Sequence, residues 1–378
     1  MAQLLERINA KLAVAQDEFL TGELLAKKAA YLGRIGDTEQ ARAIVQQVRQ
    51  RFNDGRSGRV TCFVQIAEGI LLHNAFQSTA ALDKFSRADL LAQAIREPDL
   101  IGICSVWKAF VDFDLSRFES MQRSLLLVND LGLEEDHAVQ SRRAVTLMTA
   151  AILLGERRVA QHWFHVGHRH AVAEGDLACI DALLFNRAVF GLARQRIAWC
   201  SGAFDPSWAR AIRGELESAR NLQNMAGITT MQDHVDLCLA RLDLLDGAAS
   251  TGNRKPAQFS SLDKFSRKHV NELALHLDNL FESWMTQSLG REQLKAGLLE
   301  ADWEQLTGLD PDERLVALTI HSRLVEALGV QAEVDSRLRE LEETRDAYMK
   351  YEATLRNALA PWLYESRSTN PGAAGEQP

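Results

Sequence analysis

Residues 99–204 contain no proline, and the whole chain of 378 residues has only seven. Proline inside a helix removes a backbone donor and clashes with the preceding turn. So long a stretch without one lets helix follow helix, and apolar residues recur through it at helical spacing. The expectation is an all-α chain. Its length is too great for one simple core and short for three ordinary domains, so one elongated array or two domains is expected. With 46% hydrophobic and 25% charged residues, a large core can be built and disorder is not expected.

The helices come in pairs. In LLAKKAAYLGRIGDTEQARAIVQQVRQRF, residues 24–52, a first helix carries Ala26, Ala29, Ala30 and Gly33, and a second carries Ala41, Val45 and Val48 on one face. Small residues on both let the two backbones approach closely. Gly36-Asp37 between them supplies a tight reversal and a cap for the second helix. The pattern recurs at Gly69 to Ala75 followed by Ala81, Phe85 and Ala88, then at Trp107 to Phe110 followed by Phe118, Met121 and Leu125. A fourth copy, TAAILLGERRVAQHWF, sets Gly155, Ala160 and Phe164 in the places of Gly36, Ala41 and Val45. A fifth starts at LLFNRAVFGLARQ and resumes at SWARAIRGELESAR, with CSGAFDP as a longer connection.

Over roughly residues 20–225, and best at GDTEQA, this pattern resembles the tetratricopeptide repeat family. The spacing of about 40 residues exceeds the family's roughly 34. The resemblance implies an all-α, right-handed superhelical solenoid of stacked helical hairpins, with a C-terminal helical extension. It also implies that the first helix of each hairpin lines a concave groove holding an extended peptide or a partner's helix. The groove-facing polar residues would then be Lys27, Arg34, His73, Asn74, Arg142, Thr146, Asn186 and Arg187. Asn186-Arg187 looks like the polar pair that holds a peptide backbone in such grooves. Ala26 and Ala30 stand where a lysine and asparagine set for a terminal carboxylate would be wanted, which argues against a chaperone-tail receptor.

The repeat region is expected over 1–247. A linker or long loop follows at 248–261, then a C-terminal helical region at 262–363 and a disordered tail at 364–378. The amino end, MAQLLERINAKLAVAQDEFL, reads as one amphipathic helix without the marks of a secretory signal. Near the carboxyl end, Val334, Leu338, Leu341, Tyr348, Leu355, Leu359 and Trp362 share a stripe that Arg345 and Glu352 interrupt. A cover over the last repeat is the simpler use of that stripe; a homodimer through it is the alternative. LDKFSR occurs at both 82–87 and 262–267, and Arg254, Lys255, Lys264, Arg267 and Lys268 form a basic patch. Two equivalent helices and a solvated loop are the simpler readings of these.

A net charge of −8 gives no pull toward nucleic acid or an anionic membrane, and no apolar window is long enough to span a bilayer. Five scattered cysteines without a CxxC pair fit reduced thiols in a cytoplasm, with no thiolate metal site. The sequence HWFHVGHRH places His162, His165, His168 and His170 around one helix, with Ala160, Phe164, Gly167 and Ala171 as its packing face. At about 100° per residue those rings cannot converge on one ion, so no metal and no cofactor are expected. No nucleophile elbow, phosphate loop or dinucleotide fingerprint occurs. The expected function is that of an intracellular adaptor binding another protein or peptide in the groove, not an enzyme. The alternative is a regulatory sensor that binds a peptide or small ligand and controls a separate signalling or transcription partner.

Overall fold

A computed structural model describes residues 3–52, 57–249, 271–330 and 334–368, and among them the chain is helical throughout, without a strand. The helices are α1 (Leu4–Val14), α2 (Glu18–Ile35), α3 (Thr38–Phe52), α4 (Gly58–Asn74), α5 (Ser78–Ile95), α6 (Pro98–Asp114), α7 (Phe118–Asn129) and α8 (His137–Leu153). They continue as α9 (Arg157–Glu174), α10 (Leu177–Cys200), α11 (Pro206–Ala226), α12 (Gln232–Ala249), α13 (Glu272–Thr286), α14 (Arg291–Leu299), α15 (Pro311–Leu328) and α16 (Val334–Ser368). A short 3-10 helix, Trp303–Gly308, precedes α15.

Local chemistry sets the starts and the reversals. Asp17, Ser57, Asp136 and Asp176 cap α2, α4, α8 and α10 by accepting backbone N–H bonds, and Pro98 occupies the first turn of α6. Between the two helices of each of the first four pairs one residue is left-handed: Gly36, Phe76, Ser116 and Gly155, with φ of 93°, 58°, 57° and 73°. These turns therefore recur about every 40 residues, as the spacing of small residues predicts. Packing follows chain order, with α2 against α3 and α4, α4 on α5, and α6 on α7 and α8. Farther along, α8 lies on α9 and α10, and α10 on α11 and α12. Close approach needs the small residues. A Cβ added at Gly69 would sit 2.7 Å from the Phe85 ring, and Ala26, Ala29, Ala41, Ala81 and Ala88 are all fully buried.

The first helix pair also touches the fifth. Arg34 at the end of α2 donates to both oxygens of Asp176 at 2.6 and 2.7 Å. Thr229 N–H donates to Ile35 O at 2.9 Å, and the Thr230 hydroxyl donates to Arg34 O at 2.8 Å. At the other end, Leu4 N–H donates to Gly175 O at 2.9 Å. These contacts bring α2 to the start of α10 and to the segment between α11 and α12.

The amino end is not one helix. Asp17 accepts from Leu20 N–H at 2.6 Å, which starts α2 afresh after Ala15 turns extended. In α9 the buried face is Val159, Ala160, Trp163, Gly167, His170 and Ala171, so Trp163 takes the inward place expected of the half-buried Phe164. The carboxyl-terminal stripe does not stop over the last pair. Leu341 and Tyr348 join the core of α10 to α15, while Leu355, Leu359 and Trp362 enter the core of α6 to α10. Helix α16 thus runs back across α7, α8 and α9, where Tyr351 meets Phe118 edge-on at 5.1 Å and Arg356 pairs with Glu156 at 2.5 Å. The apolar stripe, read as a cover with a homodimer as the alternative, is buried within the chain at each position described; the side chains of Val334 and Leu338 lie outside the description. Helix α16 continues to Ser368, into the expected tail. The second LDKFSR, the basic patch and residues 250–261 of the expected linker lie outside the described residues.

Four charges, three of them buried, tie the pairs to the C-terminal helices. Arg196 of α10 and Arg241 of α12 share Asp278 of α13 and Glu313 of α15 at 2.7 to 3.0 Å. Replacing Trp362, fully buried, with alanine should cost about 3–5 kcal/mol of stability, read from the midpoint of denaturant unfolding; a loss below about 1 kcal/mol would mean that α16 is not docked as described.

Candidate functional site

Five helices contribute one stripe each to a shared inner cleft. Its lower half, about 360 Å3, is lined by Leu24, Lys27, Tyr31 and Arg34 of α2, Phe63 and Ile66 of α4, Ile103 and Trp107 of α6, and Val139 of α8. Its upper recess, about 110 Å3, adds His73, Asn74, Phe110, Arg142, Asp181, Phe185 and Asn186, with Thr230 and Met231 above. Arg34, Ile70 and Trp107 line both, so the two adjoin along the same wall. Each stripe follows the spacing of one helix face, as in Ala178, Asp181, Ala182 and Phe185.

The division between the halves is ionic. Asp176 caps α10 through Cys179 N–H at 2.9 Å while accepting from Arg34, and Arg142 stands 3.6 Å from its second oxygen. Burial works against the Arg34 guanidinium, but the Asp176 carboxylate outweighs it and holds Arg34 firmly charged. Arg142 lies with its guanidinium over the Trp107 ring at 4.7 Å. Its Nη2 is buried without a hydrogen-bond partner among the described residues. With one carboxylate between two guanidiniums, this spot carries uncompensated positive charge. Burial also pushes the Tyr31 phenol up to about 12, the Asp176 charge adding to it, so that hydroxyl stays neutral.

Of the eight polar residues expected in the groove, six line the cleft. Lys27 is in the lower half, paired with Glu23 at 2.6 Å and over the Phe63 ring. Arg34 stands at the division. His73, bonded to Asp114 at 2.6 Å, and Asn74, donating to Gly33 O at 2.7 Å, are in the upper recess with Arg142 and Asn186. Two are elsewhere. Thr146 is fully buried, on a helix packed against α6, α9, α10 and α16. Arg187, one residue and about 100° round from Asn186, turns to the other side of α10, pairing with Glu215 at 2.9 Å and lying over Phe164.

Sequence reasoning missed Asp176, Asp181 and the ring walls of Trp107, Phe110 and Phe185. An aspartate inside the 178/181/182/185 stripe was an available signal. The histidines of α9 disperse: His170 is buried with its Nδ1 3.0 Å from that of His137, His168 stacks on Phe164, and His165 contacts Gln161. Among the described residues no group of His, Cys, Asp or Glu is arranged to hold a metal ion, and no helix is long and apolar enough to cross a membrane. All five thiols are free, and burial pushes those of Cys62 and Cys179 up to about 12, away from thiolate reactivity.

Compared with protein-family models, curated proteins and solved structures, the chain gives no match.

Two outcomes follow from the charges. Truncating Asp176 to alanine leaves two buried guanidiniums without their carboxylate and should cost about 3–5 kcal/mol in denaturant unfolding. Burial pushes the Asp181 carboxyl from 3.8 up to about 7, with Gln223 opposing it only in part. A folded pKa above the unfolded one makes ionisation a penalty on folding. That penalty is absent below about pH 4, grows toward about pH 7, and is constant above. Asp181→Asn should therefore stabilise the chain at pH 8, by up to about 4 kcal/mol, and change little at pH 4. Melting curves at the two pH values check this, and equal effects at both would contradict it.

Proposed function

We propose that the chain is a tetratricopeptide-like array of helical hairpins, curled until its first and fifth pairs meet, and that it acts as an adaptor holding a peptide or helix of another protein in the inner cleft. Support for the array comes from the left-handed turns at 36, 76, 116 and 155 and from the packing of each helix on its chain neighbours. The observation that carries the binding role is the wall itself. One face from each of five helices makes a continuous surface of aliphatic and aromatic side chains, interrupted by a few polar groups. Arg142 Nη2 is left there buried and without a hydrogen-bond partner among the described residues. Apolar walls with sparse, unsatisfied polar groups are the anatomy of a recognition site.

One observation favours a second reading. The upper recess, with Trp107, Phe110 and Phe185 around about 110 Å3, is near the size of a cavity that takes a benzene-sized body. A small ligand there would make the chain a regulatory sensor acting on a separate partner.

Photo-crosslinking separates these. A crosslinking residue at Asn186 or Lys27, inside, is expected to capture a discrete protein that the same residue at Met225, exposed on α11, does not. Equal capture from Met225 would defeat the adaptor reading. Capture of a small molecule alone from position 186 would transfer the function to the sensor.

A further inference from the structure

The lower half of the cleft is roofed by the chain's own first helix. Leu4, Arg7, Ile8 and Lys11 of α1 line that cavity opposite Phe63, Ile66, Ile103 and Trp107. Their spacing of three, four and seven residues is that of one helix face laid into a groove. We propose that this half of the cleft is a docking groove for an amphipathic helix of a partner protein, and that α1 is a resident helix which the partner displaces. The proposal rests on the reading above that the cleft binds protein.

Three observations carry it. The first is that α1 is lightly held. Only Ile8 is buried, Leu5 packs at the edge against Leu32 and Leu71, and its far end is tied by Leu4 N–H to Gly175 O. Its ion pair, Arg7 to Glu174, spans 3.7 Å, too long for a hydrogen bond. A helix of 11 residues is marginal on its own, and three residues, Ala15 to Asp17, link it to α2. The Gln3–Glu6 capping box and the Glu6-first, Lys11-last charge order let it form where it lies, but not more firmly than a competitor would.

The second is that α1 fits poorly. A space of about 360 Å3, partly open to solvent, remains alongside it in the groove, and apolar walls without packed neighbours forgo dispersion contacts. A helix with larger side chains at the positions of Leu4 and Ile8 would recover them. The third is charge. Asp136 and Glu174 stand on this half of the cleft beside α1, whereas the cations Lys27 and Arg34 already face Glu23 and Asp176. Arg7 and Lys11 supply the basic side from α1. The fitting partner is therefore a helix with a large apolar residue at i and i+4 and a basic residue at i+3 and i+7.

A labelled peptide of residues 3–15 tests this on the full-length chain. Its affinity is measured by fluorescence anisotropy for the wild type and for Ile8→Asp, in which α1 loses its one buried anchor. The peptide should bind Ile8→Asp at least tenfold more tightly than the wild type. Reversing its charges (Arg7→Glu with Lys11→Glu) should cost at least tenfold, and Ile8→Phe in the peptide should strengthen binding. Equal affinity for both chains, or indifference to charge reversal, overturns the proposal. Hydrogen exchange on the wild type gives a reading independent of the variant: α1 amides should exchange at least a hundredfold faster than those of α4, and matching rates would make α1 a fixed part of the fold. If these fail while protein capture from Asn186 persists, the cleft still binds a partner and only the role of α1 is lost.

Discussion

The carboxylate of Asp176 does three things at once, and the inner cleft exists because of it. It caps α10, it accepts Arg34 from the far end of the first helix pair, and it faces Arg142 from α8. Those groups come from three helices that share no local sequence, so one short side chain fixes where the beginning of the chain meets its middle. Burial makes the arrangement all-or-nothing: a guanidinium so enclosed is tolerable only with its counter-charge in place. The bonds from Thr229 and Thr230 to the end of α2 then hold the same junction from above.

Around that junction the molecule is assembled by two kinds of contact. Small residues allow neighbouring helices to pack closely, as at Gly69 against Phe85 and Gly167 against Ala144 and Leu183. This sets local geometry but says nothing about which distant parts meet. Distant parts are joined by charges and by α16. The Arg196, Arg241, Asp278 and Glu313 cluster brings four helices together, and the buried Leu355, Leu359 and Trp362 bind α16 over α7 to α9. A buried ion cluster of this kind adds little net stability over an apolar one, but it tolerates few alternative pairings.

Much of the local structure was legible. Gly36 and Gly155 announce their turns because glycine takes a left-handed conformation at no steric cost, and Ala26, Ala29, Ala41 and Ala88 mark the packing faces. Phe76 and Ser116 occupy the same turn with ordinary side chains, so the regular spacing is visible in the backbone and hidden in the residues. Within the cleft, Arg34, Asn74, Arg142 and Asn186 were reachable from the face of the first helix in each pair. Thr146 was not, because its burial comes from helices that pack on α8 from several parts of the chain. Contact of the first pair with the fifth was equally invisible. Arg34 and Asp176 are 142 residues apart, and an ion pair leaves no periodic trace. The separation of α1 from α2 had a signal, Asp17 before a helical run, that the continuous amphipathic pattern obscured.

The passage of α16 over the turn at Ser116 and the turn at Gly155 has an evolutionary consequence. Open repeat proteins lengthen and shorten by gaining or losing whole units, since each unit meets only its neighbours. Here a further unit between α4 and α9 would shift Tyr351 off Phe118 or Arg356 off Glu156, and would carry Arg34 away from Asp176. The contacts of α16 and the Arg34–Asp176 pair together fix the length of chain between α2 and α10, so change there is easier by substitution than by inserting a further helix pair.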